Sequence, residues 1–291
     1  MSLLTQQRSD GYKPLLFFFC VFALCWITAL LFAGGFTTSI KAGMAFLDWP
    51  LSNGSVNPEG WLTESDKMAE HSHRLLGRKI GLLSIGLFLW SYLRESRAWV
   101  RTLARVLVLI VILQGVLGGA RVRFDQLNIM SESNLLAQSF AVIHACGAMV
   151  VLGLLVALTL ANTRRWVEGS GGLDSALPAS VKCWGIMATA TIFVQILIGA
   201  IMRHADAGLA IAQFPLASEG SLLPAYWNFD VGIHFAHRVG ALVVTAVLLF
   251  FLGKVWGSAV AKRALGYGAL LVALALGLQI YLGGLTIWTV K

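Results

Sequence analysis

The sequence is short of charge. Of its 291 residues, 12% are Asp, Glu, Lys or Arg, about half the share of an ordinary soluble domain. It has only six prolines, and its four cysteines, Cys20, Cys25, Cys146 and Cys183, form no Cys-x-x-Cys pair. So little charge, with so much apolar sequence, excludes a disordered chain and an ordinary soluble globule. The cysteine spacing supplies neither a disulfide framework nor a thiolate metal site. Apolar side chains make up 57% of the chain, and the mean hydropathy is +0.76. A transmembrane helix needs about 20 such residues. Apolar runs at 15–34, 72–93, 103–120, 136–161, 181–202, 231–253 and 264–286 predict seven spans. They are too long for barrel strands, so the expected fold is an all-α polytopic membrane protein in a lipid bilayer.

The net charge of +8 fits basic cytoplasmic loops rather than nucleic-acid binding. Arg8 and Lys13 precede the first span. Arg94, Arg97, Arg101 and Arg105, then Arg164, Arg165 and Lys182, then Lys254, Lys262 and Arg263 fall in alternate connections. These place the N-terminus in the cytoplasm and the connections near 35–70, 121–135 and 203–230 outside. No Arg- and Ser-rich leader precedes the first span, which favours a bacterial inner (plasma) membrane.

The chain repeats itself. Leu113-Gln114-Gly115-Val116-Leu117-Gly118-Gly119 returns as Leu278-Gln279-Ile280-Tyr281-Leu282-Gly283-Gly284, an offset of 165. Gly54-Ser55, Pro58 and Trp61 return as Gly220-Ser221, Pro224 and Trp227, and His73-Arg74 returns as His237-Arg238. An even number of helices per repeat predicts two tandem four-helix bundles, related by a pseudo-twofold axis along the membrane normal. The division expected is 1–170 and 171–291. The repeat asks for an eighth helix. The equivalent of His144 falls at position 309, beyond Lys291, so the chain reads as a fragment.

Ionisable groups inside spans are costly and usually functional. His73, His144 and His237 lie at similar depth on different helices. Imidazoles on facing helices suit heme iron. His73 and His144 would ligate one iron, and His237 a second with a partner beyond the C-terminus. Zinc would want more ligands per bundle, and a proton relay leaves the pairing unexplained. Glu70 shares a helix face with His73, but its repeat equivalent is His234, so chemistry is expected in the first half alone. Arg74 and Arg238 are candidates to meet porphyrin propionates. Asp48, Trp49, Pro50, Trp61 and Trp227 line the outer loops as a lid or as interfacial residues. His71 points off the Glu70–His73 face and reads as a surface residue, and His204 is given no role. The glycine pairs 34–35, 118–119 and 283–284 allow close helix approach and room for a flat macrocycle.

These residues resemble the heme A synthase family. The likeness rests on Gly34-Gly35-x-Thr37, Ala42-Gly43, Asp48-Trp49-Pro50, Glu70-x-x-His73-Arg74-x-x-Gly77, Gly118-Gly119, His144 and His237-Arg238. It covers essentially the whole chain. The resemblance implies eight helices and two heme sites. Heme O, the substrate, would be held by His73 and His144, with Glu70 as the catalytic acid. Heme b, a cofactor, would be held by His237 and a last-helix histidine. The reaction implied oxidises a methyl of heme O to a formyl by successive hydroxylations, giving heme A for cytochrome oxidase. A heme O synthase, an electron-transfer partner and a homo-oligomer are the partners implied. The chain departs from the family in three ways. It lacks the cysteine pair many members carry in the first outer loop, it has Thr38 where many have Arg (Arg203 keeps the place in the second half), and it has no eighth helix. The competing readings are a diheme b-type electron-transfer protein and a transporter or heme-handling chaperone.

Overall fold

The computed structural model describes residues 11–126, 134–169 and 177–289. Arg8, Lys291 and residues 127–133 of the 121–135 connection lie outside them. Among the described residues the chain is helical and has no strand. The long helices are α1 (Pro14–Ser39), α2 (Ser65–Arg94), α3 (Ala98–Gln126) and α4 (Leu135–Ala161), then α6 (Ala179–His204), α7 (Phe229–Trp256) and α8 (Ala259–Thr289); a short α5 (Arg164–Glu168) follows α4. Six of them, all the long ones but α2, are long and apolar enough to cross a membrane. The protein is therefore an integral membrane protein. The predicted span 72–93 lies within α2, whose first half carries Asp66, Lys67, Glu70, Arg74, Arg78 and Lys79. Its 30 residues still extend about 45 Å. Each predicted span lies inside an observed helix, which runs from one to several residues further at one or both ends.

The chain divides into two compact units, Met1–Ser170 and Gly171–Lys291. In the first, α1 packs on α2 and α4, and α3 on α2 and α4. Their shared core is Cys20, Ala23 and Ile27 of α1, Ile80 and Leu87 of α2, Val100 and Leu107 of α3, and Val151, Leu155 and Leu158 of α4. Burying such side chains is worth about 1.5–3 kcal/mol each against water; between helices in lipid, close packing is the gain. The core fills one end of the unit. It stops at Ile80 and Val151, two helical turns short of His73 and His144.

The filled end is tied by Glu95, which is 1% exposed. It accepts from the Arg97 backbone N at 2.9 Å and Nε at 2.8 Å, and Lys13 Nζ lies 3.6 Å away. Arg97 also donates to the Ala161 carbonyl at 2.7 Å. The start of α1, the α2–α3 turn and the end of α4 are thus joined. Burial opposes the charge of Glu95, but the hydrogen bonds and charge of Arg97 prevail and hold its carboxyl below the usual range.

In the second unit α7 packs on α6 and α8. One core cluster holds Val181, Leu252, Val255, Ala261 and Ala269, and a second holds Ala188, Val244, Val247 and Leu248. Here too the core stops at Val244, two turns short of His237. Asn134 caps α4 by accepting from Ala137 N at 3.0 Å, and Asn228 caps α7 by accepting from Val231 N at 2.8 Å. Both capped helices carry a site histidine about three turns further on.

Candidate heme sites

His73 on α2 and His144 on α4 face each other with ring centroids 6.5 Å apart and planes at 87°. A ring centroid lies about 1.2 Å from its nitrogens, and an imidazole nitrogen binds a divalent metal at about 2.0–2.1 Å. Two imidazoles on opposite sides of one ion therefore have centroids about 6.4 Å apart. The observed spacing fits a shared iron. His73 Nδ1 is buried and makes no well-formed hydrogen bond, although the Leu30 backbone approaches it. Among the described residues no group of three or more His, Cys, Asp or Glu gathers for a metal ion. A heme needs none, because the porphyrin supplies four of the six ligands and the protein only the axial ones.

Each histidine faces a glycine. A Cβ built on Gly34 would come within 2.8 Å of His73 Cε1, and one on Gly118 within 3.4 Å of His144 Cε1. On Gly199 it would come within 3.1 Å of His237 Cε1. The missing side chains leave a cradle between the helices. Gly119 has another use, since its Cβ would sit 2.5 Å from the Trp49 ring. Gly284 likewise receives Phe214, at 3.1 Å. The indole of Trp49 therefore lies on α3, one residue past the glycine that faces His144.

Arg74 holds the loop that carries Trp49. Its Nε donates to Glu70 Oε1 at 3.0 Å, and one terminal nitrogen donates to the carbonyls of Asp48 at 2.6 Å and Leu51 at 2.5 Å. The other donates to the Phe46 carbonyl at 3.0 Å and to Glu70 Oε1. Glu70 Oε2 accepts from Phe46 N at 3.0 Å. A guanidinium has five N–H donors, and all five are committed. Arg238 is built the same way, donating to the carbonyls of Leu216, Ile211 and Gln213 and to His234 Nε2. His234 Nδ1 in turn lies 3.2 Å from Ile211 N. The two arginines that the sequence offered for propionates thus clamp their own loops, and His234 takes the place of Glu70. Asp48 accepts from Asn53 N at 2.6 Å and Gly54 N at 2.8 Å. It closes a turn. Burial opposes its charge, but those N–H groups and Arg74 hold its carboxyl below the usual range.

One expectation is corrected. His71 is not a surface residue; it is 1% exposed. The loop folds over it, so that Ser52 Oγ lies 3.1 Å from its Nδ1 and Trp61 packs on its ring at 4.8 Å. Phe235 and Trp227 repeat that ring contact in the second unit. Two groups went unremarked in the sequence. The Arg121 guanidinium lies 3.1 Å from the Cβ position of Gly43 and acts electrostatically on His73. Gln195 Nε2 donates to the His237 carbonyl at 2.8 Å and lies 3.0 Å from its Nδ1. A recurring Gln-x-x-x-Gly, at Gln114–Gly118, Gln195–Gly199 and Gln279–Gly283, is the signal that would have found Gln195.

The profile of a cytochrome oxidase assembly protein family matches residues 17–290. A heme A synthase of Symbiobacterium thermophilum is 28% identical over 238 residues, 80% of this chain and 71% of the relative. One of Alkalihalophilus pseudofirmus is 31% identical over 209 residues, 70% of this chain and 63% of the relative. One of Geobacillus kaustophilus is 27% identical over 282 residues, 92% of this chain and 81% of the relative. A match that extends from α1 to α8 takes in both histidine-bearing units, and the chain belongs to the cytochrome oxidase assembly protein family.

Proposed function

We propose that this chain is a heme A synthase, an oxidoreductase that takes heme O as substrate and gives heme A as product. The methyl-to-formyl oxidation proceeds by successive hydroxylations. The names of its relatives support this reading, and the observation that carries it is the His73–His144 pair, spaced for one iron over the cradle of Gly34 and Gly118. In this reading His73 and His144 are the axial ligands of the substrate. His237, beside Gly199, is a ligand of a heme b cofactor, which supplies one-electron chemistry when bound.

Glu70 is the proton-handling group of the first unit, paired with Arg74. The contrast with His234 supports a chemical role. His234 contacts the corresponding backbone N–H and arginine without a carboxylate, so the loop clamp alone does not demand an acid. Trp49, on Gly119, closes the loop side of the pocket against water. With the donors of Arg74 committed, Arg121 is, among the described residues, the cation beside His73 for substrate carboxylates. The N-terminus lies in the cytoplasm of a bacterium and the 40–64 loop on the opposite side of the inner membrane. A heme O synthase delivers the substrate, an electron-transfer partner exchanges electrons, and the protein forms homo-oligomers.

The test is to express the chain with a heme O supply, extract the hemes and separate them with mass detection. Hydroxymethyl and formyl derivatives are expected. Glu70→Gln should retain heme and lower formyl formation at least about 100-fold, the lower range for loss of a general acid or base. Heme B and unreacted heme O alone from the unaltered chain would overturn the enzymatic reading.

A further inference from the structure

In the first unit two positions stand one helical turn beyond a glycine that faces a site histidine, on the same face of their helix. One is Thr38 of α1, four residues after Gly34; the other is Arg121 of α3, three residues after Gly118. Their counterparts 165 residues further on are Arg203 of α6, four residues after Gly199, and Thr286 of α8, three residues after Gly283. Each unit therefore holds one arginine and one threonine at these two places, on exchanged helices.

The threonines are turned back on their own helices. Thr38 Oγ1 donates to the Gly34 carbonyl at 3.0 Å, and Thr286 Oγ1 to the Leu282 carbonyl at 2.9 Å. The arginines are open. Arg121 is half-buried, lies 3.1 Å from the Cβ position of Gly43 and acts electrostatically on His73. Arg203 is exposed. Neither guanidinium has a hydrogen bond or an ion pair among the described residues. Arg74 and Arg238, by contrast, are turned into their own loops. A guanidinium beside a membrane pocket, with no carboxylate of the chain to pair it, suits the carboxylates of a ligand.

We propose that Arg121 and Arg203 hold porphyrin carboxylates in their own units, and that the two porphyrins sit with their carboxylate edges toward opposite flanks. In the first unit that edge faces α3; in the second it faces α6, the counterpart of α1. The inference rests on the heme-binding reading above and adds orientation to it. An iron axis from His73 on α2 to His144 on α4 leaves the rim of the macrocycle facing α1 and α3, which pack between the ligand helices. In one seating the carboxylates meet a cation. In the other they meet a threonine whose hydroxyl is already committed. Each unit thereby selects one seating, and in the first unit this fixes which edge of the substrate comes to the chemistry.

The experiment uses the purified full chain with its hemes. Apomyoglobin serves as heme acceptor, transfer is followed by absorbance, and Soret circular dichroism reports how the macrocycle is seated. His73→Ala and His237→Ala first mark which heme belongs to which unit. A histidine variant that keeps the heme content of the unaltered chain ends the heme-binding reading for its unit. Arg121→Gln should release the heme of the first unit at least about ten-fold faster, the low end for loss of a charged hydrogen bond, and leave the other rate unchanged. Arg203→Gln should do the reverse. Arg123→Gln, an exposed cation on another face of α3, should change neither. The exchange Thr38→Arg with Arg121→Thr should keep heme, alter the dichroism and lower formyl formation. Release rates unchanged in Arg121→Gln or in Arg203→Gln, with each histidine variant having lost its heme, would overturn the proposal. So would an exchange variant that keeps both its heme and the original dichroism. If that variant does not hold heme, Arg203→Thr with Thr286→Arg decides the seating by the same dichroism, and if neither exchange holds heme the release rates alone decide.

Discussion

At the scale of single residues, the first unit is decided by what is missing from Gly34 and Gly118. Gly34→Val would put branched carbons where the His73 ring lies, with Cε1 already 2.8 Å from the Cβ position. The imidazole would have to rotate away from His144. Loss of the heme of the first unit is expected, read as heme content per protein, with the second unit unaffected. His234 gives a prediction of the opposite sign. Two N–H donors, from Ile211 and Arg238, point at its two nitrogens, yet a neutral imidazole has one acceptor nitrogen. His234→Glu supplies two acceptors, as Glu70 does. It should raise the thermal midpoint by the equivalent of about 1 kcal/mol, and a lowered midpoint would sink this account. The Glu70-x-x-His73-Arg74 pattern was legible from spacing, because i, i+3 and i+4 share a helix face. The burial of His71 was not. Helix rotation tells which way a side chain points and says nothing of a loop that folds over it from sequence 19 residues away.

At the scale of elements, the 40–64 loop is held by one arginine. Arg74 joins the carbonyls of Phe46, Asp48 and Leu51 to α2, and the same loop lays Trp49 on α3. Removing one partner of a buried ion pair costs about 3–5 kcal/mol. Arg74→Ala should therefore free the loop, and trypsin should cut at Lys41 and Lys67 many-fold faster than in the unaltered protein. Arg74→Lys should not restore resistance, since an ammonium cannot reproduce the planar fork. Cleavage at the original rate in Arg74→Ala would show that the loop is held otherwise. At the opposite end Glu95 makes stability depend on pH. Its folded value lies below its ordinary 4.5, so its contribution is complete above about pH 4.5 and is lost as pH falls through the depressed folded value. The thermal midpoint should drop over that acidic interval, and Glu95→Gln should lower the midpoint at pH 7 and flatten the drop.

At the scale of the whole molecule, hydropathy alone announced the helices, because a span must satisfy its own backbone in lipid. The loop structures could not be read this way. Carbonyls gathered by Arg74 and Arg238 are backbone groups, invisible to side-chain patterning, and the repeat in sequence pointed to them only through Gly-Ser, Pro and Trp. Both units nonetheless close their loops alike, with paired bridges at Ser52–Ser55 and Ser218–Ser221. If the basic connections lie in the cytoplasm, those two turns share the opposite side of the membrane. In a background lacking the four cysteines, Ser55→Cys and Ser221→Cys should both react with a membrane-impermeant maleimide in intact cells. Thr163→Cys, between α4 and α5, should react only after permeabilisation. The reverse pattern would invert the orientation. Labelling of Ser55→Cys but not Ser221→Cys would overturn the expected parallel duplication that makes His237 the repeat equivalent of His73.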